Sequence, residues 1–210
     1  MNKKTVKALI LPSVVMLVPI LVGLLLWKQL PQQLPGHWNL AGEVDSWMSK
    51  AMAVFGMPLI LLGALWVCAL VTHLDPKRRN HSDKMLHLVF WLLPVLLLVL
   101  SSITYATALG TAVPVEVVMP VLLGLVFTIL GNYLPKCKQN YTIGIKLPWT
   151  LDSEENWNKT HRFAGGLWVV CGLVTILTGF FGGFWVFLGL TLPMVLGPVL
   201  YSYILYRKGI

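Results

Sequence analysis

Residues 6–27 read VKALILPSVVMLVPILVGLLLW, and Lys7 is the only charged residue among them. A helix needs about 20 mostly apolar residues to cross the hydrocarbon core of a bilayer. This stretch is longer than the apolar part of a signal peptide, and no Ala-x-Ala cleavage pattern follows it. The sequence therefore predicts a retained transmembrane helix.

Further apolar runs of similar length make up most of the remaining chain. Apolar residues account for 57% of the 210 residues and charged residues for only 11%, too few to cover a water-soluble domain with polar side chains. We therefore expect an all-α, polytopic membrane protein with six transmembrane helices in a single domain over residues 1–210. The further runs cover approximately residues 52–74, 86–109, 113–134, 163–181 and 185–206.

Basic residues are segregated between the loops of this bundle. All but Lys28 and Lys50 of the 16 Lys and Arg residues lie around the start of the first helix, after the second, after the fourth or after the sixth. Because short cytoplasmic loops carry such an excess, both the N and C termini are predicted to be cytoplasmic. The net charge of +8 is then explained by contact with anionic membrane lipids, and direct binding of nucleic acid is not expected.

The polar stretch predicted to lie outside, residues 30–50, is rich in turn-forming residues. Pro31 and Pro35 interrupt the first helix, while Gly36 and Gly42 permit tight turns. Its tryptophans suit the interface between membrane and water. We therefore expect this stretch to lie flat on the bilayer surface.

Polar side chains in the same stretch raise the question of a metal site. His37, Glu43 and Asp45 supply imidazole and carboxylate groups, which zinc accepts as ligands. Their spacing does not match a metal motif, and local turn hydrogen bonds by Asn39 and Asp45 explain the same residues. The sequence predicts neither a metal nor another cofactor.

The inner stretch, residues 132–166, reads NYLPKCKQNYTIGIKLPWTLDSEENWNKTHRFAGG. Asp152 or Ser153 can cap a helix by accepting a hydrogen bond from a free backbone N–H. Glu155 and Lys159 have the favourable i,i+4 order of a helical ion pair. A helix is therefore predicted to begin ahead of the membrane and to continue into the fifth apolar run.

One face of this helix carries two indoles, a hydroxyl and an imidazole within a stripe about 100° wide. Such a stripe can pack against neighbouring helices and seat the helix at the interface, or it can dock a partner. The pattern leaves both possibilities open. The stripe consists of Trp157, Thr160, His161, Ala164 and Trp168.

Indications of catalysis are weak by comparison. The sequence lacks the common nucleophile, zinc-protease and phosphate-loop motifs. Glu154 and His161 lie on one side of a helix and could share a proton in a membrane enzyme, but a capping carboxylate and an interfacial imidazole explain them more simply. The sequence therefore predicts that the protein is not an enzyme.

Other titratable residues near the apolar runs also have simple explanations. His73, His81 and His87 lie near the inner surface among basic residues, where side chains reach from the membrane toward water. Glu116 lies within an apolar run, but near its outer end rather than at the midplane where a transporter would be expected to place an acid. A small transporter or exporter of a peptide or lipid that depends on Glu116 remains the alternative function.

Two motifs resemble known families. Residues 30–45, LPQQLPGHWNLAGEVD, resemble the DUF1648 segment that opens many small bacterial membrane proteins. Residues 140–162, NYTIGIKLPWTLDSEENWNKTHR, are similar to the signature of the SdpI family. With the matching helix count and chain length, the resemblance extends over a DUF1648-like segment at about 6–55 and an SdpI-like region at about 113–206.

The resemblance implies a function that residue spacing does not show. It implies an immunity protein of the bacterial plasma membrane that protects the cell against a secreted, membrane-active toxin peptide and holds a cytosolic autorepressor at the membrane. The residues expected to sense the toxin are His37, Trp38, Asn39, Glu43 and Asp45. The residues expected to dock the repressor are Asn140, Tyr141, Lys146, Trp149, Glu154, Trp157, His161 and Arg162.

Overall fold

The computed structural model describes residues 1, 3–181 and 184–210. Within this part of the chain, six helices are long and apolar enough to cross a membrane, which confirms the fold predicted from the apolar runs. The side of the membrane that each terminus faces stays a prediction. The six helices are α1 (Lys3–Leu25), α2 (Met57–Leu74), α3 (Asp83–Ala108), α4 (Val115–Tyr133), α6 (Glu154–Gly179) and α7 (Phe184–Arg207), and a short helix, α5 (Pro148–Asp152), precedes α6.

The chain divides into two compact units. The first unit comprises residues 1–73 and 86–115, and the second comprises residues 74–85 and 116–210. The segment that follows α2 therefore belongs with the C-terminal helices and not with its neighbours in sequence. The assignment of one six-helix domain stays a prediction.

Aliphatic side chains and one phenylalanine form the core of the first unit, where α1, α2 and α3 meet. Because lipid tails are as apolar as these side chains, helices in a bilayer gain from close packing rather than from the removal of water. The Tyr105 hydroxyl adds a hydrogen bond to the carbonyl oxygen of Pro19, at 3.1 Å. The core residues are Leu9, Met16, Leu65, Ala69, Phe90 and Leu97.

A β-hairpin occupies the stretch between α1 and α2, where the sequence predicted only turns. Its antiparallel strands are β1 (Gln33–Trp38) and β2 (Val44–Ser49). At the turn, the Asn39 side-chain oxygen accepts hydrogen bonds from two backbone N–H groups, and Gly42 has a φ of 79°, which favours glycine. Two register irregularities around His37 interrupt the period-two alternation that marks a strand in sequence.

Leu34 on β1 fixes the hairpin to the first unit. This side chain is fully buried in a cluster with Leu30, Ala53, Val54 and Tyr105. Since Tyr105 belongs to α3, the cluster sets the position of the hairpin relative to that helix.

In the second unit, α4 and α6 approach so closely that their backbones touch at two pairs of glycines. A Cβ atom on Gly124 would lie 2.7 Å from the carbonyl oxygen of Gly172, and one on Gly165 would lie 2.7 Å from the carbonyl oxygen of Gly131. Small residues permit such close packing of membrane helices. The four glycines therefore set the position of α6, which carries much of the inner stretch.

Helix α6 begins as the sequence predicted. The Ser153 hydroxyl accepts a hydrogen bond from the Asn156 N–H at 3.1 Å and so caps the first turn. The helix starts at Glu154 and continues through the fifth apolar run. The predicted ion pair also forms, with 2.7 Å between Lys159 Nζ and Glu155 Oε1.

Candidate functional site

The hairpin turn brings together all the residues predicted to sense a toxin. His37 Nδ1 lies 2.6 Å from Asp45 Oδ1, and the Asn39 amide donates to Glu43 Oε2 at 3.0 Å. These two polar pairs link the two sides of the hairpin next to the turn. Trp38 pairs with Val44 in the same register and is half-buried. The turn hydrogen bonds predicted for Asn39 are confirmed, whereas Asp45 contacts the opposite strand instead of the turn.

The inner stretch is built on two stacked rings of α6, Trp157 and His161. Neither residue has exposed surface, and the ring centroids are 4.0 Å apart. His161 Nδ1–H donates to the Trp157 carbonyl oxygen at 2.8 Å, while Nε2 accepts the Ile145 N–H at 2.9 Å. The Trp157 indole N–H donates to the Cys137 carbonyl oxygen at 2.7 Å. These bonds assign the neutral imidazole, with its proton on Nδ1.

A proton shared between Glu154 and His161 has no support in this geometry. Both ring nitrogens of His161 bind backbone groups, and Glu154 is exposed in the first turn of α6. General acid–base catalysis needs a nitrogen within reach of a substrate proton. His161 therefore serves to hold the stretch before α5 against α6.

Gly144 allows the inner stretch to pass directly over these two rings. Its φ of 122° is one that L side chains rarely adopt. A Cβ atom at this position would lie 2.5 Å from His161 Nε2 and 2.9 Å from the Trp157 ring. Any larger residue at position 144 would displace the N–H of Ile145 from His161.

Asn140 closes the turn that precedes Gly144. Its side-chain oxygen accepts the N–H groups of Thr142 at 2.9 Å and Ile143 at 2.6 Å, and its amide donates to the carbonyl oxygen of Ile143 at 2.9 Å. The neighbouring Cys137 thiol is also enclosed. Burial raises the pKa of Cys137 to about 11, and a hydrogen bond from Asn140 offsets only part of this increase.

Asp75, which no pattern in the sequence marks as a candidate, ties a second segment to the inner stretch. Its carboxylate accepts hydrogen bonds from the Lys77 N–H at 2.7 Å, the Tyr141 N–H at 2.9 Å and the Thr142 hydroxyl at 2.9 Å. Burial favours a higher pKa for Asp75, but these three hydrogen bonds and the charge of nearby His81 outweigh it, so the pKa lies below its usual 3.8. The signal available in sequence was a lone acid directly after an apolar run.

The prediction that the His81 side chain reaches toward water is wrong. Its side chain is 2% exposed, and Nε2 lies 3.3 Å from Asp75 Oδ2 and 3.1 Å from the Thr142 hydroxyl oxygen. The expectation failed because the partners of His81 come from a distant part of the chain. A catalytic triad would place the carboxylate and the hydroxyl on opposite ring nitrogens, whereas here both lie at Nε2.

Gln139 adds hydrogen bonds between the segment after α2 and the inner stretch. Its side-chain oxygen accepts a hydrogen bond from Lys77 Nζ, and its backbone carbonyl accepts one from the Asn80 amide at 2.7 Å. Its amide donates to the carbonyl oxygens of Thr150 and Leu151, both at 2.9 Å. The segment after α2, the stretch after α4 and helix α5 are thus joined through one buried side chain.

The residues predicted to dock a partner divide by exposure. Asn140, Trp157 and His161 are buried supports. Trp149 is half-buried, with its indole N–H donating to the Ser202 hydroxyl at 2.9 Å. The remaining candidates are exposed, namely Tyr141, Lys146, Glu154 and Arg162. We call these four residues and Trp149 the inner face.

Comparisons with known proteins agree with the resemblance found in sequence. The model of the SdpI/YfhL protein family matches residues 136–202, and that of a domain of unknown function, DUF1648, matches residues 14–62. The chain is 27% identical over 202 residues to Immunity protein SdpI of Bacillus subtilis (strain 168), which covers 95% of this chain and 96% of that protein. No solved structure matches the chain. The resemblance to the SdpI family is confirmed, and the chain is a multi-pass protein of the bacterial plasma membrane.

Proposed function

We infer that this chain, which carries the SdpI/YfhL match over residues 136–202, is a non-enzymatic immunity protein that protects a bacterium against a secreted, membrane-active peptide. The observation that carries the proposal is the 27% identity to Immunity protein SdpI over 95% of the chain. An alignment of this extent includes both the hairpin and the inner stretch. The six membrane-spanning helices suit a protein that acts where such a peptide attacks.

The hairpin turn is the proposed sensor of the peptide. The five candidates lie together there, and His37, Glu43 and Asp45 are exposed. The predicted orientation places this turn outside, on the side from which a secreted peptide arrives. The half-buried Trp38 adds an aromatic surface of the kind that supplies much of the free energy of binding in protein interfaces.

The inner face is the proposed docking site for a cytosolic repressor. It combines two aromatic residues, Tyr141 and Trp149, with charges of both signs. Buried Asn140, Trp157 and His161 hold the backbone that carries Tyr141 and Lys146, through hydrogen bonds to Cys137, Ile143 and Ile145. Release of the repressor from its operator would then follow from its retention at the membrane.

Survival of a peptide-sensitive bacterium tests the protective role. Cells that express the chain are titrated with secreted membrane-active peptides, beside cells with an empty vector. We expect the killing curve to move to higher concentration for at least one peptide. We expect the double variant Glu43→Ala/Asp45→Ala to lose much of that shift, and the exposed Gln32→Ala to keep it. Unchanged killing by every peptide, with folded protein present in the membrane, would contradict the proposal.

A reporter under the promoter of this chain's own operon tests the docking role. The double variant Tyr141→Ala/Arg162→Ala removes two exposed side chains of the inner face, and Asn158→Ala changes an exposed residue of α6 outside it. We expect peptide-induced reporter activity to fall in the double variant only, with protection retained. Full induction in the double variant would rule out this docking site.

A further inference from the structure

A partly enclosed cavity of about 100 Å³ lies in the first unit, between the hairpin and helices α2 and α3. Its walls are mainly apolar, but three residues of α3 with hydroxyl groups, Ser101, Thr104 and Tyr105, also line it. The Tyr105 hydroxyl is already bonded to the carbonyl oxygen of Pro19. The residues that matter here are Met48, Met57, Leu97 and Leu100 on the apolar walls and Ser101 and Thr104 on the polar side. The cavity shares one residue, Trp38, with the proposed sensor, and its other lining residues lie outside the sites described above.

The two hydroxyls are free to bind a ligand. Serine and threonine in these helices commonly donate to the carbonyl oxygen one turn earlier, as Ser102 does to Leu98 at 2.7 Å and Thr128 does to Gly124 at 2.8 Å. Within the part of the chain that the structure describes, the hydroxyls of Ser101 and Thr104 make no hydrogen bond. A hydroxyl without a partner in apolar surroundings gains when a ligand supplies one.

The size and flexibility of the walls restrict the occupant. An apolar cavity of about 150 Å³ accepts benzene, so a cavity of about 100 Å³ suits a smaller group such as the branched end of a leucine, isoleucine or valine side chain. Met48 and Met57 are unbranched and can adjust to the shape of such a group. A peptide also provides backbone N–H and carbonyl groups next to each side chain.

We infer that this cavity binds one branched aliphatic side chain of a peptide, with Ser101 and Thr104 hydrogen-bonded to the adjacent peptide group. A lipid acyl chain also fills apolar space, but it offers the hydroxyls no polar group. The inference rests on the proposed function, because the peptide would be the secreted one. The hairpin that carries the proposed sensor also forms one wall of the cavity, through Gly36 and Trp38 on β1 and Met48 on β2.

Photo-crosslinking tests the inference directly. The full chain in nanodiscs is irradiated with N-acetyl-photoleucine methylamide, which carries a diazirine on a leucine-like side chain between two amides. We expect labelling in residues 48–61 and 97–105, and competition by N-acetyl-leucine methylamide. Thr104→Val keeps the shape and removes one hydroxyl, so we expect about fivefold weaker labelling, the factor for one hydrogen bond.

Adjacent serines provide a matched pair of filling variants. Ser101→Leu places a larger side chain in the cavity and should abolish labelling, whereas Ser102→Leu changes an exposed residue whose hydroxyl bonds within its own helix and should leave labelling unchanged. Equal labelling of both variants would overturn the inference. So would labelling of the same residues by photoreactive palmitate that N-acetyl-leucine methylamide does not displace.

The survival assay separates this inference from the proposed function. If the unaltered chain protects cells and Ser101→Leu protects them equally well, the cavity is not the peptide site, although the immunity role stands. If the unaltered chain gives no protection but the cavity is labelled as expected, the immunity role fails while the cavity remains a peptide-binding site.

Discussion

The Asp75 carboxylate accepts three hydrogen bonds and has no exposed side-chain surface. An amide at this position can accept fewer bonds and presents an N–H₂ group to donors. We expect Asp75→Asn to lower the free energy of unfolding by about 2–4 kcal/mol. Denaturant unfolding in a fixed detergent measures the loss. Asp152→Asn, at an exposed position, should change it by less than about 0.5 kcal/mol.

Because the pKa of Asp75 is lowered, the difference in unfolding free energy between the unaltered chain and Asp75→Asn should depend on pH. A carboxylate whose pKa is lower in the folded than in the unfolded state contributes its full stability above the unfolded pKa, and loses it as the pH falls through the folded pKa. The gap between the unaltered chain and Asp75→Asn should therefore be fully developed by about pH 5 and shrink below about pH 4. A gap that widens on acidification would contradict this assignment.

The spacing of single residues in the sequence predicts the helix face that they occupy but not the side chains that they contact. The helical stripe of Trp157 and His161 was predicted from spacing, but spacing did not decide between packing and docking. The structure shows packing, because both side chains are fully buried. Asp75 was missed because its partner Tyr141 lies 66 positions away, and hydrophobic periodicity reports only on neighbours within one element.

At the scale of elements, the glycine contacts between α4 and α6 predict unequal effects at adjacent positions. Gly165→Ala places a methyl group 2.7 Å from the Gly131 carbonyl oxygen, so we expect a loss of about 1–3 kcal/mol. A Cβ atom on Gly166 meets nothing within 4 Å, so Gly166→Ala should be neutral or stabilising by up to about 1 kcal/mol. Thermal unfolding in one detergent compares the stability of the two variants. Equal losses of stability would argue against this packing of α4 on α6.

The hairpin turn depends on one side chain that bonds the backbone. Asn39→Ala removes the acceptor for the N–H groups of Ala41 and Glu43, so we expect the hairpin to lose about 1–2 kcal/mol of local stability. Hydrogen exchange of the β1 and β2 amides should become about tenfold faster. Leu40→Ala, at an exposed position in the same turn, is the control. Unchanged exchange in Asn39→Ala would show that the turn does not need this side chain.

The elements divide clearly into those that sequence predicted and those that it did not. Long apolar runs identify α1 to α4, α6 and α7 because a bilayer imposes length and composition on them. The start of α6 was predicted from its capping residue, Ser153. The β-hairpin was not predicted, since its strands have only six residues each and an irregular register.

For the whole molecule, the segregation of basic residues predicts an orientation that labelling can test. A membrane-impermeant maleimide should label Leu40→Cys in intact cells and Lys138→Cys only in inverted vesicles. The native Cys137 lies next to position 138. Because burial raises the pKa of its thiol to about 11, this residue should react slowly with the maleimide. The chain without an introduced cysteine therefore serves as the control for background labelling. The reverse pattern of labelling would place both termini outside.

The number of helices could be predicted at this scale, but not their grouping. Residues 74–85 belong to the second unit because buried Asp75, His81 and Gln139 join them to the inner stretch. The polar composition of that segment marks it as a loop after α2, but nothing in it shows that the loop packs with the C-terminal helices. The prediction of a single domain, which stays a prediction, rested on short connections and the lack of a soluble segment, and neither of these reports on how segments pair.

The tie through Asp75 also limits how such proteins can exchange parts during evolution. A recombination breakpoint within residues 86–135 would combine an Asp75 segment from one parent with a Tyr141 and Thr142 segment from another. Hybrid genes would keep the side-chain hydrogen bond from Thr142 to Asp75 only where both parents carried that pair, whereas the Tyr141 donor is a backbone N–H that nearly any residue supplies. Breakpoints before residue 74 leave this set intact, so natural mosaics and laboratory chimeras that take residues 74–210 from one parent should keep the tie more often than those that replace the C-terminal helices alone.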